Sequence, residues 1–180
     1  MDRLAGPLRI RRCEAGAALA FLSASLALSQ VPADGTDAGP IEGSARTFLE
    51  RARAIATTKL RTAACQQIFA EFKDDRDASL DEVLKKSGER PEDHLRRMRF
   101  RNGSRHRLCV APGILAVTST GSLEVFVCGS LESIARRDPN GAANILIHEE
   151  LHSLGAGEAP TTGLPSSVEI TARVATRCGR

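Results

Sequence analysis

The chain has 180 residues, enough for one domain and short for two. Its 42% hydrophobic and 26% charged content excludes an intrinsically disordered protein. It carries six Phe and neither Trp nor Tyr. Such scarcity argues against a surface built on the aromatic stacking that single-strand nucleic-acid readers use, and nucleic acid is disfavoured as a partner. The formal charge is +3, and the five cysteines are an odd number that needs a cause.

The N-terminus supplies one. Arg3, Arg9, Arg11 and Arg12 precede an uncharged, alanine-rich run from Ala15 to Leu28. Small residues follow at Ala27 to Ser29 and again at Val31 to Ala33. That is the layout of a secretory signal over residues 1–29, its apolar part short and alanine-rich for a membrane span; an uncleaved N-terminal anchor is the less favoured alternative. Cleavage after Ser29 removes four of the 25 basic and two of the 22 acidic residues, leaving a net charge of +1. It also removes Cys13 and leaves Cys65, Cys109, Cys128 and Cys178. Four cysteines in an exported chain predict two disulfides in a periplasmic or extracellular protein with no stable membrane span. The pairing Cys109–Cys128 with Cys65–Cys178 is favoured, because Cys109 and Cys128 lie on strand-like runs joined by a short connection.

Residues 30–43 read as a mobile Pro/Gly/Asp-rich lead, and 44–180 as a single domain. Ser44 is a candidate N-cap for one long helix, or two in line, over 45–72. Short helices are expected over 79–86 and, opened by Pro91, over 91–97. Alternating runs at 98–101 and 106–111 flank Asn102-Gly103, a hairpin-turn dipeptide. With 114–119 and 123–128 they predict a small, mostly antiparallel sheet. Asp138-Pro139 opens a helix of about fifteen residues, ending before Gly155. A loop at 156–165 leads to a last helix opened by Ser166. The fold class is α+β: N-terminal helices, a small sheet, an active-site helix and a C-terminal helix.

The chemistry lies at His148-Glu149-Glu150-Leu151-His152. On a helix, spacing i, i+4 puts both imidazoles on one face, one turn apart, where both can ligate one zinc ion. Glu149 stands beside them as the general base for a metal-activated water. A catalytic zinc usually takes a third protein ligand. Glu158 is favoured, since Gly155 can turn the chain back beneath the metal. Glu169 is the alternative, although Ser166 and Glu169 also form a capping box.

The stretch from His148 to Glu158, with Gly155 at the turn position, resembles the zinc metallopeptidases called zincins. More closely it is similar to the metzincin pattern, with Glu158 in place of the third His. The resemblance implies His148, His152 and Glu158 as zinc ligands and Glu149 as base. In the related gluzincins the third ligand is a Glu on a following helix, a role Glu169 would fill. The chain differs from metzincins in its one mature methionine, Met98, which lies upstream of the motif, and from both groups in having no tyrosine. The mature chain also resembles small exported bacterial proteins that carry such a segment and a closing Cys.

Six arginines fall between Arg96 and Arg107: Arg96, Arg97, Arg99, Arg101, Arg105 and Arg107. They form either a surface for an anionic envelope polymer or a solvated guard on a strand edge, the second being favoured. His94, His106 or one of these arginines is a candidate to stabilise an oxyanion. Leu123 to Cys128 is the candidate strand for aligning a peptide or protein substrate. The expected function is zinc-dependent peptide-bond hydrolysis. The alternatives are a non-catalytic envelope-binding module, with zinc structural or absent, and an amidase acting on cell-wall peptides.

Overall fold

The computed structural model describes residues 38–161 and 163–179. The expected signal and most of the lead lie outside the described residues. Helix α1 (Gly43–Leu60) begins one residue before Ser44. Ser44 is thus inside the first turn rather than at the cap, and its hydroxyl donates to Glu132, 2.8 Å away. The single long helix expected to 72 is broken into α1, α2 (Ala63–Gln66) and α3 (Ile68–Glu71). The break falls at Thr62, whose side chain accepts from Cys65 N–H and caps α2.

Helix α4 (Leu80–Ser87) has a complete capping box, Ser79 with Glu82, and ends on Gly88 in the left-handed region. Helix α5 (Pro91–Arg97) starts on its proline as expected.

Three strands form: β1 (Arg99–Asn102), β2 (Ala116–Thr118) and β3 (Glu124–Val127), in the order β1-β3-β2. Strands β1 and β3 run parallel, with Phe100 opposite Val125. Strands β2 and β3 run antiparallel, with Val117 opposite Phe126. The sheet is therefore mixed, and Asn102-Gly103 makes no hairpin. Gly103 instead donates its N–H to Val127 O at 2.8 Å, and a Cβ on it would come within 2.7 Å of Cys109 Sγ. That glycine permits close approach of backbones. The segment expected as a strand at 106–111 is a 3₁₀ turn, Arg107–Val110, held to the end of β3 by Cys109–Cys128.

Helix α6 (Gly129–Arg137), not anticipated from the sequence, follows β3. Then come α7 (Pro139–Ser153) and α8 (Ser167–Cys178). Asp138 caps α7 by accepting from Gly141 N–H, and Pro139 occupies its first turn. Helix α7 is the central element: it packs against α1, α6, α8 and β2, and Leu146, Ile147 and Leu151 are fully buried. Each such side chain contributes roughly 1.5–3 kcal/mol by leaving water. The second disulfide, Cys65–Cys178, ties α2 to the last residue of α8. Both expected pairings are present.

Candidate metal centre

Three ligand atoms converge at the C-terminal half of α7. His148 and His152 share one face, and their Nε2 atoms lie 3.0 Å apart. Gly155, with φ of 118°, turns the chain immediately after the helix. A side chain there would be strained, and its Cβ would sit 2.9 Å from Asp74 Cβ. The turn returns Glu158 to the histidines: its Oε2 is 3.4 Å from His152 Nε2 and 3.9 Å from His148 Nε2. Zinc bonded tetrahedrally at about 2.0–2.2 Å sets neighbouring ligand atoms roughly 3.3–3.6 Å apart. The three observed separations bracket that value.

The surroundings fit a cation. Glu158 Oε2 is buried and has no hydrogen-bond partner among the described residues, an arrangement that is costly for a carboxylate oxygen without a positive partner. His152 Nδ1–H donates to the Ala156 carbonyl at 2.8 Å. A carbonyl only accepts, so the proton is on Nδ1 and the Nε2 lone pair faces the site. His148 Nδ1 meets Thr171 Oγ1 at 3.0 Å. Burial, with His152 alongside, pushes the His148 imidazole down to about 3, so it is in the neutral form that ligates metal.

Glu149 is also buried, one residue round the helix and on the wall of the same cleft. Burial pushes its carboxyl up to about 6; Glu158 adds to this, while Thr118 and His152 oppose it. Glu150, a further 100° round, faces away from the site. Glu169 takes no part: its carboxylate accepts from Ser166 N–H at 2.7 Å and Ser166 Oγ at 2.9 Å in the cap of α8.

A cleft of about 930 Å³ opens over His148, His152, Glu158 and Glu149. Its other walls are β2, the loop before it, residues 157–161 and the start of α8. Strand β2 pairs with β3 alone among the described residues, so β2 is the edge strand beside the site. The run from Leu123 to Cys128, expected to align substrate, contains the central strand instead. His94 and His106 are not among the cleft-lining residues. His94 is buried on α5, with Nε2 3.0 Å from Ser153 Oγ and Nδ1 3.2 Å from Glu89. His106 stacks on Phe126. Four of the six clustered arginines pair with protein carboxylates: Arg96 with Asp93, Arg97 with Glu89, and Arg99 and Arg101 with Glu124.

Sequence reasoning missed Thr171 and the Ala156 carbonyl. Thr171 carried no motif signal, and a carbonyl has no residue identity to read. No protein-family model, curated protein or solved structure matches the chain.

Proposed function

We propose that the protein is an exported zinc-dependent peptidase, with His148, His152 and Glu158 as metal ligands and Glu149 as general base. The observation that carries this reading is the convergence of two imidazole nitrogens and an orphaned carboxylate oxygen on one point, beside a buried carboxyl in an open cleft. Zinc bound there supplies a Lewis acid for a scissile carbonyl and draws the pKa of water towards 7.

The chain's own residues account for the rest. Ala156 and Thr171 engage the far ring nitrogens and so fix both imidazoles. Glu149, poised near neutrality, takes a proton from the attacking water and passes it to the leaving amine. The edge of β2 offers main-chain hydrogen bonds to an extended peptide. Export is supported by the two disulfides. No helix among the described residues is long and apolar enough to cross a membrane.

The test is cleavage of a broad library of quenched fluorescent peptides by zinc-loaded mature protein. Wild type is expected to cleave, and Glu149→Gln to lose roughly 10²- to 10⁴-fold in kcat/KM while keeping its zinc. Wild type that holds zinc and cleaves nothing contradicts the peptidase reading and favours a non-catalytic module.

A further inference from the structure

We propose that the cleft takes an extended apolar polypeptide segment and disfavours acidic ones, an inference that rests on the peptidase reading and names its substrate class. Large hydrophobic side chains meet solvent at a few places. Among the described residues these are Leu108, Val110, Ile114, Leu164 and Val168. Single exposed hydrophobics scattered on a surface carry no meaning. Here Leu108, Ile114, Leu164 and Val168 all line the one cleft that holds the candidate metal centre. Val110 belongs to the same 3₁₀ turn as Leu108. They come from three separate segments: the turn and loop before β2, the loop after α7, and the first turn of α8. Val168 is 78% exposed at a helix N-terminus, a position where solvent alone would favour a polar side chain.

The charges agree. The ionisable residues lining the cleft are His148, Glu149, His152 and Glu158, with no Lys, Arg or Asp among them. An acidic side chain flanking the scissile bond would meet no Lys or Arg there, and Glu149 and Glu158 would offset the charge of a bound zinc ion. The arginine-rich segment 96–107 contributes none of its charges to the lining. Peptides rich in carboxylates, such as those of an anionic cell-wall polymer, are therefore poorer occupants than apolar polypeptide.

The rim is also built as a unit with the site. Cys109, between Leu108 and Val110, is tied to Cys128 at the end of β3. Leu164 packs over Gly157, where an added Cβ would lie 2.6 Å from Leu164 Cδ1, next to the ligand Glu158. The apolar wall is thereby fixed relative to the ligands. The β2 edge supplies sequence-independent main-chain pairing, which leaves selectivity to these side chains.

The test uses zinc-loaded mature protein and a quenched peptide series in which the residues on each side of the cleaved bond are Leu, Val, Phe, Asp, Glu or Lys. At one or more of these positions apolar residues are expected to give roughly 10- to 200-fold higher kcat/KM than acidic ones. Val168→Asp and Leu164→Asp are expected to shrink that ratio at least about tenfold with zinc content unchanged. Cleavage with equal or greater preference for acidic residues overturns the proposal and leaves the peptidase reading standing. If no peptide is cleaved, the peptidase reading fails, and binding of fluorescein-labelled Ala-Leu-Val-Phe-Leu-Ala to Glu149→Gln protein decides the cleft's preference. Binding that is weakened by Val168→Asp and absent for a twin peptide with two central Asp supports it. Absence of binding, or equal binding of the twin, overturns it.

Discussion

Each side chain around the C-terminal half of α7 has surroundings set by its angle on the helix. His148 and His152 point at the cleft, Glu149 stands beside them, and Glu150 faces α5. Thr171 reaches in from α8 to hold His148. Removing such an outer partner loosens the ring's orientation and typically weakens metal affinity about 10- to 100-fold. Thr171→Val is expected to do so in a competitive zinc titration while leaving the thermal midpoint of metal-free protein little changed. Unchanged zinc affinity would remove Thr171 from the site. Glu150 is fully buried, and neither of its oxygens has a hydrogen-bond partner among the described residues. Burial, with Glu92 nearby, holds its carboxyl well above the usual carboxylate range. The unfolded chain then ionises Glu150 before the folded one does. Its contribution to stability is whole below about pH 4.5 and is lost as pH rises towards the folded value, at about 1.4 kcal/mol per pH unit within that window. Glu150→Gln is expected to gain stability relative to wild type as pH rises from 4 to 8, read from urea midpoints. A pH-independent difference would mean that Glu150 is ionised in the folded protein.

At the level of elements, the site is an assembly of α7, its exit turn and α8. The Cys65–Cys178 bridge closes a sequence separation of 113 residues. Chain-entropy arguments give a loop of that size about 4–5 kcal/mol of stabilisation. The double variant Cys65→Ser, Cys178→Ser is expected to lose most of this in urea unfolding. It is also expected to bind zinc more weakly, because α8 carries Thr171. A loss below about 1 kcal/mol would mean that packing alone secures α8. Elements with local signals were legible in the sequence: Pro91, Asp138-Pro139 and the Ser166–Glu169 box each open a helix near its expected start, and the helix expected over 79–86 is present. Helix α6 was not legible, because its buried stripe is only Leu131 and Ala135 and its cap residue, Cys128, makes no capping hydrogen bond. The parallel β1–β3 pairing was not legible either. Its partners are distant in sequence, and the Asn102-Gly103 signal competed with a disulfide that pulls residues 107–110 into a turn.

At the scale of the described domain, a short mixed sheet and peripheral helices pack around α7, and the C-terminal half of that helix lines a cleft. The motif on α7 was readable because i, i+4 spacing is a property of any helix. Glu158 is already favoured over Glu169 from Gly155 and the Ser166–Glu169 box; only tertiary geometry gives the distances, with Gly155 at positive φ, Glu158 Oε2 3.4 Å from His152 Nε2, and Glu169 held in the α8 cap. The proposed peptidase chemistry requires that His148, His152 and Glu158 hold zinc. The direct measurement is metal content per chain, by elemental mass spectrometry, of purified mature protein after dialysis against buffer containing trace zinc. Wild type and Glu169→Ala are expected to hold one zinc per chain, and His148→Ala, His152→Ala and Glu158→Ala to hold much less. Folded wild-type protein that contains no zinc and cannot be loaded with it would contradict the account.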